Sequence, residues 1–422
     1  MKNIKNILFL IFLGAQFFLS PNLYAENIVI GEKLPSWKEG VFDIHNINTG
    51  CGNATFCVFP DGTTMLIDAG ADNPNNDRHV PVVPNSTKTP GEWIVHYIQN
   101  NYPRAGQVFL DYVFLTHFHK DHIGGGVMIT KNSTEKYYLT GITEVLEHIP
   151  THKIIDRGYP DYDFFPPQNQ SFFDNYLNFV QEQSVLYPDL FEEFIVGSAE
   201  QFILQYDKLN RYIDFDVRNM VGNGKIWSGK DKEIIHVYPE NAVALNAALW
   251  PLENSLSCGV RISYGKFTYF NAGDLLGYPK KGKPSWHELE TTLAPILGKM
   301  DVANVGHHGY WDATNEVWLQ HVSPQVMIIQ ASDAAHPTKA SLSRITNEKL
   351  YSPIADIFTT NLYHAAREEI GDLIEYLKSV QGHIVVRVAK DCNSFQIIII
   401  EDQDDSYKVK AMFGPYVAGF TH

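Results

Sequence analysis

The hydrophobic positions of this chain fall into short apolar runs separated by polar turns rich in Gly, Pro, Asn and Asp. Runs of this kind predict strands, and the periodicity over residues 91–100 predicts a helix. Strands that alternate with helices, with antiparallel hairpins at both ends, predict an α/β fold of two packed sheets with helices outside. The predicted strands cover residues 42–48, 54–60, 64–67, 112–115, 234–238, 259–264, 267–271, 301–305, 326–330, 384–388 and 395–400.

The first 25 residues have the pattern of a secretory signal peptide. Lys2 and Lys5 give a positive start, residues 7–20 are almost wholly apolar, and Ala25 ends a plausible cleavage site. The apolar run is short for a membrane span, and no second one follows. We therefore predict export to the periplasm or the medium, with no stable membrane span after cleavage. An uncleaved anchor is the alternative.

Composition and charge limit the classes of function that the chain can have. The chain has 422 residues, of which 44% are hydrophobic, and this is enough for one large domain over residues 26–422. A formal charge of −15 argues against general nucleic-acid affinity, but it leaves open a small-molecule or ester substrate, even an anionic one held by cations. Four cysteines make no disulfide scaffold, although Cys51 and Cys57 could pair. The oligomeric state is not predicted.

The segment Thr116-His117-Phe118-His119-Lys120-Asp121-His122 directly follows a predicted strand and carries the densest set of reactive side chains. Neutral imidazoles and carboxylates are the ligands that Zn²⁺ and similar metals prefer. In a turn that leaves a strand, His117 and His119 can point to one side while Asp121 and His122 point to another. One loop could thereby supply ligands to two metals.

Two further strand ends carry residues of the same types. Asp274 follows a glycine after one strand, and His307 and His308 lie between glycines after the next. Loop residues at strand ends often share one functional face. The three segments together predict a metal site, and we expect two Zn²⁺ per chain, with Mn²⁺ or Fe²⁺ as alternatives.

With these segments the chain resembles the metallo-β-lactamase fold superfamily. The signature is His117-x-His119-x-Asp121-His122 with Gly124 after it, and Leu66-Ile67-Asp68-Ala69-Gly70 matches the first motif. The pattern is most similar to the ComEC-type domains and their secreted free-standing relatives. It covers roughly residues 42–337 and implies a four-layer αββα sandwich with a binuclear metal site at one edge. The ComEC-like segments are Gly50-Cys51-Gly52-Asn53-Ala54, Asn254-x-x-Ser257, Gly273-Asp274 and His307-His308-Gly309.

The resemblance and the ligand chemistry together imply a division of roles. One metal would take His117 and His119, the other Asp121 and His122, and Asp274 would bridge them. One of His307 and His308 would complete the second set; we favour His307 as the ligand and His308 as a proton donor or support.

Other residues are expected to assist. Asp68 would orient a ligand imidazole, and Asn254 would hold the open side of the first metal. His336 could donate a proton to a leaving group. Ser257 has no nucleophile elbow around it and is not interpreted as a nucleophile. The candidate catalytic residues are therefore Asp121, His308 and His336.

Many members of the superfamily have one more histidine ligand between the first cluster and the bridging Asp. His148 and His152 flank a proline turn and are the better candidates for it. His236 lies mid-strand and is interpreted as structural. A position without this ligand is the alternative.

The stretch from about residue 159 to 220 is rich in aromatic residues with a helical period. We predict a largely helical insertion that covers one side of the site. Its aromatic stripe, which includes Phe173 and Tyr176, is interpreted as core.

Three function classes follow. The first is an exported hydrolase of phosphoesters or phosphodiesters, in which a water shared by two metals attacks as hydroxide. The second is an amide or lactone hydrolase, including β-lactamase-like activity. The third is a non-catalytic binding module on the same fold.

Overall fold

The computed structural model describes residues 28–167 and 170–419. The predicted signal peptide, residues 1–25, lies outside the described residues. In chain order the strands are β1 (Phe42–Asn46), β2 (Thr55–Val58), β3 (Thr64–Ile67), β4 (Leu110–Phe114), β5 (Thr151–Asp156), β6 (Phe191–Glu193), β7 (Phe215–Gly222), β8 (Lys225–Trp227), β9 (Ile234–His236), β10 (Gly259–Tyr264), β11 (Phe267–Asn271), β12 (Val302–Asn304), β13 (Val326–Ile329), β14 (Asp356–Thr359), β15 (Leu377–Ser379), β16 (His383–Val388), β17 (Ser394–Ile400) and β18 (Val409–Val417). The α-helices are α1 (Pro90–Asn101), α2 (Lys120–Ile123), α3 (Ile142–His148), α4 (Ser171–Leu186), α5 (Glu290–Leu297), α6 (Glu316–Val322), α7 (Lys339–Ile345) and α8 (His364–Ile370).

The strands form two nine-stranded mixed sheets. The first has the order β18-β17-β16-β1-β2-β3-β4-β5-β6 and is antiparallel from β18 to β3 and parallel from β3 to β6. The second has the order β15-β14-β13-β12-β11-β10-β7-β8-β9 and is parallel from β15 to β11. Helical crossovers join its parallel strands, as parallel pairing requires.

Three hydrophobic clusters define four layers. Residues of both sheets, such as Phe114 and Tyr269, pack against each other in one cluster. A second cluster joins the outer face of the first sheet to α1, α3 and α4, and a third joins the second sheet to α5, α6, α7 and α8. The prediction of an αββα sandwich is confirmed.

Helix α1 shows why the chain folds this way locally. The Thr89 side chain accepts from the backbone N–H of Glu92, and the Glu92 carboxylate accepts from that of Thr89, which closes a capping box before Pro90. The buried face of the helix packs on the first sheet through Trp93, Ile94, Tyr97 and Ile98.

Among the described residues 159–167 and 170–220, the predicted insertion contains one α-helix, α4. Phe173 and Tyr176 are buried in the first helix–sheet layer, so the interpretation of the aromatic stripe as core agrees with their position. Among the described residues of 159–220, the remainder consists of loops, β6 and most of β7. Helical character is therefore confined to α4.

The four cysteines are free, and Cys51 and Cys57 are both buried without a bridge between them. Among the described residues, no helix is long and apolar enough to cross a bilayer.

Candidate metal centre

The site forms where the carboxyl ends of β3, β4, β11 and β12 meet at one edge of the sandwich. Thr116 follows β4. Its backbone N–H and its hydroxyl both donate to the Asp68 carboxylate, and both hydrogen bonds are 2.8 Å long. A backbone bond from Cys258 to Thr116, 2.8 Å long, ties this loop to the second sheet. The loop that carries the first histidines is thus fixed from both sheets.

Asp68 also sets the orientation of His122. Its Oδ2 lies 2.8 Å from His122 Nδ1, so the carboxylate accepts the Nδ1 proton and leaves Nε2 as the nitrogen that would bind a metal. That Nε2 lies 3.1 Å from Asp274 Oδ1. This is the supporting geometry that the sequence analysis expects of Asp68.

The backbone conformation after β12 directs the side chains of His307 and His308 to different places. Both residues have positive φ, 45° for His307 and 54° for His308, inside the turn Gly306–Gly309. His308 donates from Nδ1 to the Gln330 carbonyl at 2.8 Å, and its Nε2 lies 3.2 Å from Asp121 Oδ2 and 3.3 Å from Asp274 Oδ1. Such backbone conformations in non-glycine residues are rare and collect at functional sites.

His307 points elsewhere. Its Nδ1 lies 2.6 Å from the buried carboxylate of Asp312, and its Nε2 accepts from Asn254 Nδ2 at 2.9 Å. Its nearest approach to Asp274 is 3.8 Å. The geometry thus favours His308 over His307 for the larger group of ligand atoms, because His308 is the histidine whose Nε2 faces the carboxylates of Asp121 and Asp274.

Two groups of potential ligand atoms result, each with its atoms within 4.8 Å of one another. Asp274 belongs to both, through Oδ1 in the larger group and Oδ2 near His117. The larger group is Asp121, His122, Asp274 and His308, and the smaller is His117, His119 and Asp274.

The chemistry of these groups fits divalent cations. Burial lowers the pKa of His117 and of His119, so both imidazoles are neutral ligands. Burial would raise the pKa of Asp274, but the surrounding histidines, His308 first, hold it well below its ordinary range. Asp274 Oδ1 is buried and has no hydrogen-bond partner among the described residues. Burial also lowers the pKa of His122 and of His308, but the neighbouring carboxylates, Asp274 first, outweigh it and raise the pKa of both, that of His308 to about 10. A cation bound beside Asp274 would therefore take the place of a proton on these imidazoles, as metal binding to histidine requires.

Neither His148 nor His152, the two candidates for an extra histidine ligand, lies at the site. His148 ends α3 and the exposed His152 begins β5, at the amino ends of the parallel strands, whereas the ligand groups follow their carboxyl ends. His236 is exposed on β9, at an edge of the second sheet. The position at the carboxyl end of β5 holds Asp156 and Arg157 instead.

Arg157 and Glu253 form a buried ion pair that the sequence analysis missed. The guanidinium meets both carboxylate oxygens, at 2.7 and 2.6 Å, and Glu253 also accepts from the backbone N–H of Phe118 at 2.8 Å. Arg157 further donates to the carbonyls of Phe164 and Phe165. The pair thus joins three loops around the metal centre. Its members are 96 residues apart, so no local motif reveals it.

A cavity of about 480 Å³ opens in front of the ligand groups. His336 lines it, with its ring stacked on that of His308 at 4.4 Å between centroids and its Nδ1 without a hydrogen-bond partner among the described residues. Asn254 and His307 line it as well. Three other residues that the sequence analysis proposed for the site do not line the cavity and are buried: His117, His122 and Asp68.

Comparison of the sequence with known proteins gives a match over a short segment. No family model matches the chain. Recombination protein 2 of Haemophilus influenzae is 32% identical over 105 residues, which is 25% of this chain and 11% of that protein. The chain therefore spans about a tenth of the length of that relative.

Two solved structures are similar over much of the chain, but with low scores. A proposed metal-dependent hydrolase from Parabacteroides distasonis has a TM-score of 0.35 and 10% identity, and the match covers 78% of this chain and 98% of that one. Human tRNase Z, short form, has a TM-score of 0.30 and 13% identity over 69% and 96%. The assignment of the fold therefore rests on the two sheets and their helices.

Proposed function

We propose that this chain is an exported hydrolase that holds two divalent metal ions and cleaves phosphoesters, with phosphodiesters preferred. The observation that carries the proposal is the position of Asp274. Its two oxygens are divided between a group with His117 and His119 and a group with Asp121, His122 and His308. A shared carboxylate between two ligand sets is the arrangement of two-metal hydrolytic sites.

Two cations held there would supply Lewis acidity, which lowers the pKa of a water and neutralises charge on the substrate. The protein's own residues do the rest. Asp68 and the Gln330 carbonyl keep the lone pairs of His122 and His308 directed at the centre. His336 and Asn254 border the cavity, where they can hydrogen-bond to oxygens of the substrate, and His307 accepts from Asn254 and so positions its amide.

A phosphodiester fits this arrangement better than a carbonyl substrate. It offers two non-bridging oxygens, one for each ligand group, and its negative charge is neutralised by the cations. A neutral lactone or amide gains less from two cations, so that activity is the second candidate. A binding module without catalysis would not need two buried ligand sets with their supporting hydrogen bonds. The short similarity to Recombination protein 2 is in line with the ComEC-like pattern.

The test is a screen of the zinc-loaded protein from residue 26 onwards on bis-p-nitrophenyl phosphate, a p-nitrophenyl monoester, a chromogenic lactone and a cephalosporin. We expect the diester to have the highest kcat/KM. Asp274→Ala should lose nearly all activity, while Asp214→Ala, which removes an exposed carboxylate, should not. At least tenfold preference for a carbonyl substrate, about 1.4 kcal/mol in transition-state binding, would overturn the choice of phosphodiester.

Export has its own test. The basic start and short apolar run support cleavage after Ala25. N-terminal sequencing of the secreted or periplasmic protein should begin at Glu26. A membrane-bound form that begins at Met1 would contradict this part of the proposal.

A further inference from the structure

Outside the ligand groups, the wall of the cavity carries positive charge. Two lysines line it, Lys280 and Lys283. Of the acidic residues in the same lining, Asp121 and Asp274 belong to the ligand groups and Glu253 is paired with Arg157. In a protein with a formal charge of −15, the charge left for a substrate in this wall is therefore cationic.

The two lysines have different surroundings. Lys283 Nζ donates to the Ala248 carbonyl at 2.6 Å and so holds the turn that precedes Trp250. Lys280 is exposed, and within residues 28–167 and 170–419 its ammonium group has no ion-pair or hydrogen-bond partner. Lys280 is thus the cation that remains available to a bound molecule.

Beside the lysines the wall is aromatic. Trp250 lines the cavity, and its indole N–H donates to the Leu245 carbonyl at 3.1 Å, which fixes the ring. Phe165 supports it edge-to-face at 5.5 Å between centroids. A fixed indole against a buried ring offers a flat apolar face to a planar group. The volume of about 480 Å³ lies within the range of about 300–1,000 Å³ that is usual for small-molecule sites.

We propose that the substrate is a small molecule that carries a planar group and a second anionic group besides the phosphoester at the metal centre. Lys280 binds the second anionic group, and Trp250 contacts the planar group. This inference rests on the proposed phosphoesterase function and adds a specificity subsite to it.

The kinetic test uses two substrates that differ in one phosphate: thymidine 5′-(p-nitrophenyl phosphate) and its 3′-phosphorylated form. The wild-type protein should prefer the 3′-phosphorylated substrate by about tenfold in kcat/KM, the value of one charge-assisted contact. Lys280→Ala should abolish this preference and leave the rate on the other substrate within about twofold. Lys281→Ala is the matched control, since Lys281 is exposed but does not line the cavity. No preference in the wild type, or an unchanged one in Lys280→Ala, would overturn the proposal.

A binding test separates this proposal from the proposed function. If neither diester is cleaved, the phosphodiesterase function fails, and the subsite is judged by calorimetry with thymidine 3′,5′-bisphosphate. Weaker binding to Lys280→Ala but not to Lys281→Ala supports the subsite, and equal binding to all three proteins overturns it. Trp250→Leu should weaken binding of the bisphosphate and leave that of inorganic pyrophosphate unchanged, because pyrophosphate has no planar group. Equal effects on both ligands would remove Trp250 from the subsite.

Discussion

His307 and His308 are neighbours in the chain, yet their hydrogen bonds give them different chemistry. His308 gives its Nδ1 proton to the Gln330 carbonyl and directs Nε2 at Asp121 and Asp274. His307 uses both ring nitrogens on Asp312 and Asn254. A histidine whose two nitrogens already have partners must give one up to bind a metal, so the geometry favours His308 as the ligand.

This difference predicts opposite effects of two alanine substitutions. His308→Ala should weaken binding of the second zinc ion by about 100-fold or more, since a ligand matters at least as much as the groups that support it. His307→Ala should keep two zinc ions and lower turnover, because Asn254 at the cavity loses the imidazole to which it donates. Competition with a chromophoric chelator measures both affinities. Loss of zinc from His307→Ala alone would restore the preference that the sequence analysis favoured.

Glu290 provides a prediction on pH. It is buried and accepts the backbone N–H groups of Thr314 and Asn315, both at 2.7 Å. Burial raises its pKa from 4.5 to about 8. Because the folded state binds this proton more tightly than the unfolded state, the stability that Glu290 contributes is full below pH 4.5 and is lost as the pH rises through 8.

The wild-type free energy of unfolding should therefore fall relative to that of Glu290→Gln, by up to about 1.4 kcal/mol per pH unit across this window. Urea unfolding of both proteins at several pH values measures this difference. Protonation changes at the metal centre affect both proteins equally and therefore cancel. Parallel curves would show that Glu290 is ionised in the folded protein.

At the scale of elements, the Arg157–Glu253 pair links the end of β5 to the loops before β10 and after β4. Both side chains are buried. Removing one partner of a buried pair leaves an uncompensated charge and costs about 3–5 kcal/mol, whereas replacing both with apolar groups costs much less.

Arg157→Met should accordingly destabilise the protein strongly, and the double variant Arg157→Met/Glu253→Met should recover most of the stability. The double variant should still have reduced kcat/KM, because no carboxylate at position 253 then accepts from the backbone N–H of Phe118 in the ligand loop. Urea unfolding and diester kinetics give the two readouts. A double variant with wild-type activity would show that the pair acts on stability alone.

The sequence predicted those elements whose apolar pattern is local. Strands β3, β10 and β11 have the predicted bounds, and α1 differs by one residue at each end. Strand β5 begins with the polar residues Thr151, His152 and Lys153, and the long edge strand β18 is half exposed and contains Gly-Pro, so neither shows the expected pattern. Such segments become strands because they pair with neighbouring strands, and their own sequence pattern does not show this.

In the site, too, features that depend on contiguous residues could be predicted and features that depend on distant contacts could not. The residue types of the three ligand segments and their place after strands could be predicted, because each segment is contiguous. The choice between His307 and His308 could not, since it depends on the two positive φ values and on Asp312 and Gln330 as partners. The ion pair of Arg157 with Glu253 could not be predicted either, because it depends on contacts between residues that are distant in sequence.

At the scale of the whole molecule, the candidate metal centre lies across the two sheets. His117, His119, Asp121 and His122 follow β4 of the first sheet, whereas Asp274 and His308 follow β11 and β12 of the second. Cations bound to both sets would link the sheets at this edge. They would also compensate the carboxylates of Asp121 and Asp274, which lie against the same histidine nitrogen.

Metal removal should therefore destabilise the entire sandwich and not only the loops. A ligand that binds only the folded state adds about 2.7 kcal/mol when its free concentration is 100 times its Kd, so the Tm should fall by several degrees in excess chelator and return when zinc is added. Differential scanning calorimetry at a fixed scan rate measures the shift. Asp274→Ala should have a low Tm that responds little to chelator or zinc, because the residue shared by both ligand groups is gone. If the wild-type Tm were the same in chelator and in zinc, or if Asp274→Ala responded like the wild type, the two sheets would not be joined through a metal centre at Asp274.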